Sequence, residues 1–378
     1  RTRKAIPITT TPAATVRADV SLTGFGKEKN DCRSAMTASL PKSRPIQSGF
    51  SADTVGPMAL RLTVDRQRFR AHVTAVAADT PDLVPVVKGN GYGLGRRTLV
   101  AQVGELLPAT TTVAVGTIHE AHDVAAPLAV HVMNPIGSAD AGVHLPTNAI
   151  PTVASLRDVE VLERRSWKGR VVVKLASSMR RFGATPDEFP ALVQAVSRLG
   201  GVVHACSIHP PTAGTDDERL AEIDAWLPLL PDCVTLSVSH LSPASLAGLR
   251  ARNEGRTVEA RLGTALWHGD KSHFALHAEV LATHRCSAGE VAGYRKVGLT
   301  SDGTVVVVSA GSSHGVTALP DGRSPFHFAQ RRLDLVEPPH MHTSLVFVPD
   351  DQSCPSVGDM VDVQRPLTMV QPDIVDWS

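Results

Sequence analysis

The absences in this chain of 378 residues narrow its reading first. No uninterrupted apolar run approaches the roughly 20 residues that a membrane helix needs, so no membrane role is expected. Charge of one sign is not in surplus either. Basic side chains number 38 and acidic ones 37, a balance that favours neither nucleic acid nor an anionic membrane as partner. Cysteine is scarce and odd in number. Cys32, Cys206, Cys233, Cys286 and Cys354 lie far apart, with no metal-ligand spacing and no disulfide framework, which fits a reducing cytosol and a cytoplasmic location. Histidines are plentiful, but pairs such as His119/His122 and His340/His342 lack Cys or carboxylate companions at ligand spacing. Structural or surface roles are expected for them, and no metal site.

The length suggests two domains, at about 150 residues each. Residues 1–57 are rich in Thr, Ser, Ala, Pro and basic residues and have no helical or strand periodicity, so disorder is expected there. A basic, acid-poor leader suits a targeting peptide, though it lacks the apolar core of a secretory signal. The alternative is an upstream stretch joined to a segment that begins at Met58. From there the pattern changes. Residues 59–64 alternate as an exposed strand, and Asp65 caps an amphipathic helix running to about Ala78.

A β-then-α rhythm follows. Apolar strands are predicted at 84–87, 112–115, 129–133, 149–153, 171–175, 202–208, 234–238 and 258–262. Helices are predicted between them, at about 99–107, 118–125, 156–165, 186–199, 216–230 and 243–252. Eight short apolar strands with crossovers are the arithmetic of a (β/α)₈ barrel of the TIM type, whose sites lie at the C-terminal strand ends. The competitor, an open doubly wound sheet, would carry a G-x-G-x-x-G fingerprint after its first strand, and none is present. After Trp267 the rhythm stops. Short strands near 275–282, 291–294, 304–309, 343–348 and 359–363, separated by turn signals, read as a mostly β domain. The expected division is thus 58–267 for the barrel and 268–378 for the β-rich domain.

The stretch that organises the rest is Leu83 to Gly95, in which an apolar run delivers Lys88 to a strand end. A lysine pinned there loses hydration, which disfavours its ammonium form and makes the free amine available as nucleophile or base. Four glycines at alternate positions (89, 91, 93 and 95) let backbone approach a ligand, with N–H groups free to face an anion. The bland alternative is a parallel strand ending in a glycine turn with a solvated lysine. The whole string, Val86-Val87-Lys88-Gly89-Asn90-Gly91-Tyr92-Gly93-Leu94-Gly95, resembles the Val-Val-Lys-Ala-Asn-Ala-Tyr-Gly-His-Gly segment of alanine racemases. The resemblance implies that Lys88 holds pyridoxal phosphate covalently and that Tyr92 contacts its phosphate.

The resemblance extends over nearly all of residues 58 to about 365. Glu259-Ala260-Arg261-Leu262-Gly263-Thr264 is similar to the family's eighth-strand segment. It implies that Arg261 faces the pyridine nitrogen while Gly263 and Thr264 offer N–H groups to the phosphate. An arginine there, always charged, cannot give up a proton and keeps the nitrogen unprotonated. That weaker electron sink suits racemisation better than decarboxylation. Ser242, just before a helix, matches the family's phosphate-binding serine, an ordinary N-cap being the plain alternative. His209 matches a histidine supporting the arginine. Arg181 matches the arginine that binds the substrate carboxylate region and the cofactor's phenolate. Lys174 matches a lysine that is often carbamylated. Ser287 to Tyr294 resembles Pro-Gly-Glu-x-Val-x-Tyr-Gly, which implies that Tyr294 is a second catalytic base supplied across a homodimer with shared active sites; a buried strand tyrosine is the plain alternative. Tyr92 and Tyr294 are the only two tyrosines.

Three departures alter the expected pocket entrance. Gly311-Ser312-Ser313-His314-Gly315 stands where the family has Gly-Tyr-Ala-Asp-Gly. Pro339-His340-Met341-His342 stands where Cys-Met-Asp is usual, so Met341 matches as a substrate-site residue while His342 replaces an acid. The stretch to Ser378 offers no match to the family's terminal phosphate-binding tyrosine, so a shortened C-terminal side is expected. The implied activity is an isomerase interconverting L- and D-alanine by a Lys/Tyr two-base mechanism, for cell-wall D-alanine supply. The alternatives are a barrel enzyme using pyridoxal phosphate on another amino acid, and a non-catalytic cofactor-binding homologue.

Overall fold

The computed structural model describes residues 60–378, and the leader expected at 1–57 lies outside them. The first strand, β1 (Leu60–Val64), buries Leu60, Leu62 and Val64 and is followed by α1 (Arg66–Ala78), whose N-cap Asp65 accepts a hydrogen bond from the Arg68 N–H. Eight parallel strands then form the barrel. They are β2 (Leu83–Pro85), β3 (Thr112–Val115), β4 (Ala129–Pro135), β5 (Ala149–Val153), β6 (Arg170–Lys174), β7 (Val202–Ser207), β8 (Thr235–Val238) and β9 (Val258–Leu262). They pair in the order β2-β9-β8-β7-β6-β5-β4-β3, and a parallel bridge from Val86 to Ala114 brings β2 beside β3 and closes the ring. The expected barrel is therefore the observed one.

The crossovers are α2 (Arg96–Leu106), α3 (Leu156–Arg164), α4 (Phe189–Leu199), α5 (Asp216–Trp226) and α6 (Pro243–Ala251). A helix expected at 118–125 is a 3₁₀ turn, Ile118–Asp123, at whose start the Glu120 carboxylate accepts the Thr117 N–H at 3.4 Å. Strand pleat sorts the side chains. Val130, Val153, Val171, Val173 and Cys206 join the main core, whereas Ala129, Ile150, Val172 and Ala205 form a separate small apolar layer. Polar Lys174, Ser207, Ser237 and Arg261 are also buried. The chemistry is held on this second, inward face, towards the C-terminal ends of the strands.

The rest is antiparallel and mostly β. Its long strand, β10 (Phe274–Cys286), pairs with Gly303–Val308 and Met360–Val363, and also with β1 in the register Leu60↔Ala278 to Val64↔Phe274. The strand β1, read from sequence as exposed and grouped with the barrel segment, thus lies in this sheet with its apolar side fully covered. Strand Ile374–Trp377, which the sequence pattern did not reveal, runs parallel on β1's other edge.

Trp267, in the short helix α7 (Thr264–His268) after β9, ties barrel to sheet. It is fully buried, stacks on Phe69 at 6.2 Å, and donates Nε1–H to the Val86 carbonyl at 2.7 Å, just ahead of Lys88. Trp267→Ala should cost about 3–5 kcal/mol, the usual range for emptying such a site. Urea unfolding with an unchanged slope checks this, and a loss below about 1 kcal/mol would contradict it.

Candidate active site at the barrel mouth

The ladder continues beyond β2, with the Val86 N–H donating to the Leu262 carbonyl and the Val87 N–H to that of Ala114, each at 2.8 Å. Lys88 therefore emerges at the C-terminal rim with its side chain exposed. Desolvation lowers its pKa; Arg181 and Arg261 add to that, and Glu120 opposes it. The glycine loop differs from expectation. Gly89 donates its N–H to Glu120 Oε1 (3.0 Å), Gly91 to the Lys88 carbonyl (3.1 Å), Gly93 to Asn90 Oδ1 (3.2 Å) and Gly95 to the Asn90 carbonyl (3.1 Å). These amides are not free to face an anion, because the loop folds on itself. At Gly91 (φ +63) a Cβ would sit 2.2 Å from the Gly95 carbonyl carbon, so this turn admits glycine only.

What the loop presents is Tyr92. The residue is buried, and its hydroxyl lies where a Cβ on Gly263 would come within 1.9 Å. Burial, reinforced by Glu120, pushes the phenol up to about 12, so it acts as a hydrogen-bond donor at neutral pH. Gly263 and Thr264 form the turn from β9 into α7 beside it.

Two buried basic side chains stand below. Arg261 is 4 % exposed and donates to Ser237 Oγ (2.5 Å) and to the Ile208 carbonyl (2.7 Å). Desolvation brings its pKa down to about 10, leaving it charged at neutral pH. Lys174 is 5 % exposed and donates to Ser207 Oγ at 3.3 Å. Burial pushes its pKa well below the ordinary lysine value, helped by Arg261, Arg181 and Lys88. Arg181, exposed and over the Phe182 ring, acts electrostatically on both lysines. His209 is lowered to about 2 by burial, then by Arg261 and its neighbours, so the ring is neutral. Its Nδ1 meets Ser239 Oγ at 2.6 Å. The guanidinium of Arg261 is thus held by Ser237 and Ile208, with His209 as a neutral neighbour.

Other predicted residues sit differently. Ser242 caps α6 by accepting the Ser245 N–H at 3.2 Å, but its own N–H donates to Asp216 Oδ2 at 3.0 Å, so a carboxylate already meets this helix start. Tyr294 and Met341 lie on the β-rich part, 86 % and 66 % exposed. Tyr294 is neither buried nor in a strand. It sits in the turn between Val291–Ala292 and Val297–Gly298, its ring 4.5 Å from that of His340. Sequence reasoning missed Glu120, whose carboxylate accepts the N–H groups of Gly89 and Gly116 (2.6 Å) and faces Lys88. The Thr117-x-x-Glu120 capping-box spacing was the available signal. Ser237 and Asp216, polar residues with no motif around them, offered none.

The family description "Alanine racemase, N-terminal domain" matches residues 64–271, more than half of the chain and all eight barrel strands. The chain belongs to the alanine racemase family. No curated protein matches it at a significant level. Solved structures of alanine racemases share its fold. That from Bartonella henselae, with covalently bound pyridoxal phosphate, is 20 % identical with a TM-score of 0.65, covering 82 % of this chain and 92 % of its own. That from E. faecalis is 18 % identical with a TM-score of 0.66, covering 84 % and 98 %. That from Bacillus anthracis, with bound L-Ala-P, is 18 % identical with a TM-score of 0.65, covering 82 % and 86 %. Like them, this alanine racemase family member joins a (β/α)₈ barrel to a mostly β domain. Among the described residues, no helix is long and apolar enough to cross a membrane, and no cluster of ligating side chains suits a metal ion.

The lowered pKa of Lys174 has a signed consequence. Between that lowered value and the ordinary one near 10.4, the unfolded chain binds a proton that the folded chain does not. Stability conferred at this position therefore rises with pH across that window. Relative to Lys174→Met, the parent protein should gain stability as pH increases towards the ordinary lysine value in carbonate-free buffer. Denaturation curves that move in parallel for the two proteins would contradict the assignment.

Proposed function

We propose that the protein is a pyridoxal-phosphate-dependent amino-acid racemase that works by two bases, with alanine as the first substrate to test. The observation that carries this is the convergence of Lys88, Lys174, Arg181 and Arg261 at one barrel mouth against Glu120 as counter-charge. Such a cluster calls for an anionic occupant, and a phosphorylated aldehyde with a phenolate fits it. Tyr92 and the Gly263–Thr264 turn suit the phosphate. Ser242 suits it less, because Asp216 engages its N–H. When bound, pyridoxal phosphate supplies the conjugated system that stabilises negative charge at the substrate Cα.

In this reading Lys88 anchors the cofactor, and its amine takes the Cα proton on one face. Its lowered pKa makes the uncharged form accessible nearer neutral pH. Arg261, rigid and charged, would stand by the pyridine nitrogen and, unable to give up a proton, would favour its unprotonated form. Arg181 meets the substrate carboxylate region. Lys174, a buried amine among cations, is suited to add carbon dioxide with loss of a proton, and the carbamate anion would offset its neighbours. Tyr294 of the partner subunit delivers a proton on the opposite face, with Met341 beside the substrate. The 86 % exposure of Tyr294 supports that role, since a base supplied in trans must lie on its own subunit's surface. A second reading, a different amino-acid substrate, is favoured by Ser312 and His342 at the entrance, which stand where the family pattern has an active-site tyrosine and an acid.

The test is a panel of L-amino acids assayed for inversion, run beside Tyr294→Phe. Loss of a positioned acid/base should slow racemisation by on the order of 10²–10⁴. Cofactor binding should survive, and solvent deuterium exchange should fall for one enantiomer far more than for the other. Equal loss of both exchanges would remove Tyr294 from this role, and inversion of no amino acid would sink the racemase reading.

A further inference from the structure

The hairpin tip that carries Tyr294 is held by one carboxylate. Gly293 to Lys296 form a tight turn, with φ of +76° at Gly293 and +49° at Lys296 and a 3.2 Å hydrogen bond from the Lys296 N–H to the Gly293 carbonyl. An exposed tip between two-residue strands has little packing to hold it. Glu337, 7 % exposed and on a separate segment, supplies the missing constraint. Its Oε1 accepts the Tyr294 N–H at 2.8 Å and its Oε2 the Arg295 N–H at 2.9 Å. Oε1 also meets His340 Nε2 at 2.6 Å. A Cβ on Gly293 would come within 2.3 Å of Oε1, so glycine is what lets the carboxylate seat itself against the turn.

The same carboxylate fixes the histidine. Desolvation pushes Glu337 up, but the His340, Arg295 and Tyr294 donors outweigh it and hold the carboxyl below its ordinary value. An ionised carboxylate only accepts, so His340 Nε2 must carry the hydrogen. The ring is anchored from its own backbone too, the His340 N–H donating to the Thr343 carbonyl at 2.9 Å. Its face then lies against the Tyr294 ring, centroids 4.5 Å apart and planes at 52°.

We propose that Glu337, acting with His340, is the positioning residue that aims the Tyr294 hydroxyl. The proposal deepens the racemase reading above and rests on it. A proton donor displaced by an ångström can lose on the order of 10² in rate, so the turn on the β-rich part must be held firmly. The triangle Glu337–His340–Tyr294 does this within one subunit, before any partner arrives.

Two tyrosines in the chain make the test direct. Ring-labelled tyrosine should give two carbon-13 signals, the exposed one assigned by its loss in Tyr294→Phe. In Glu337→Gln, one oxygen acceptor is lost. The Tyr294 signal should shift and narrow while that of the buried Tyr92 stays in place. Exchange on the Tyr294 face should fall on the order of 10²-fold, with exchange on the Lys88 face unchanged. His340→Leu, which leaves both backbone bonds to Glu337, is the second variant. It should move the Tyr294 signal by loss of the neighbouring ring and slow the same face less. An unmoved Tyr294 signal in both variants, or equal slowing on both faces, would overturn the proposal. If Tyr294→Phe itself leaves racemisation intact, the assignment of Tyr294 as second base fails instead, and that control is read separately from the two variants.

Discussion

Burial of basic side chains at the barrel mouth is the constraint on which the site depends. Desolvation lowers the pKa of Lys88, Lys174 and Arg261, the charges of Arg181 and Arg261 add to that at both lysines, and Glu120 opposes it at Lys88. Arginine keeps its proton under this pressure, whereas the lysines hold theirs less firmly. The result is a mouth where basic side chains gather and an anion would be favoured. The fold makes this tolerable. Arg261 is braced by Ser237 and the Ile208 carbonyl, Lys174 by Ser207, and the barrel strands on which they sit are fixed by pairing on both edges.

Much of this was legible in the sequence because strand ends and apolar runs are local properties. The run into Lys88, the β9 segment with Arg261 and the Asp65 cap each sit where pattern put them. The remainder depends on contacts between residues far apart in the chain. β1 reads as an edge strand because its partners, β10 and Ile374–Trp377, lie more than 200 residues away. The glycine amides looked available, yet Asn90 and Glu120 use them, which only the closed loop reveals. Glu120, Ser237 and Asp216 have no motif of their own apart from the capping box, so their roles come from where the barrel sets them.

The chain also differs from the family pattern on its β-rich part. Ser312 and His342 stand in place of a tyrosine and an acid, and His340 and His342 flank Met341. Ser313 Oγ meets His342 Nδ1 at 3.0 Å, so the altered residues form a connected surface. Tyr294, borne on that surface by Glu337, faces solvent on its own subunit. The barrel holds the cation cluster, the β-rich part holds the exposed phenol, and the proposed chemistry needs both.

In the proposed chemistry, everything turns on Lys88 as the residue that bonds pyridoxal phosphate. The most direct measurement is borohydride reduction of the purified protein after incubation with the cofactor, followed by peptide mapping. A single pyridoxyl group is expected on Lys88, with Lys174 unlabelled because its amine is buried and bonded to Ser207. Label on Lys174, or no label on either lysine, would contradict it.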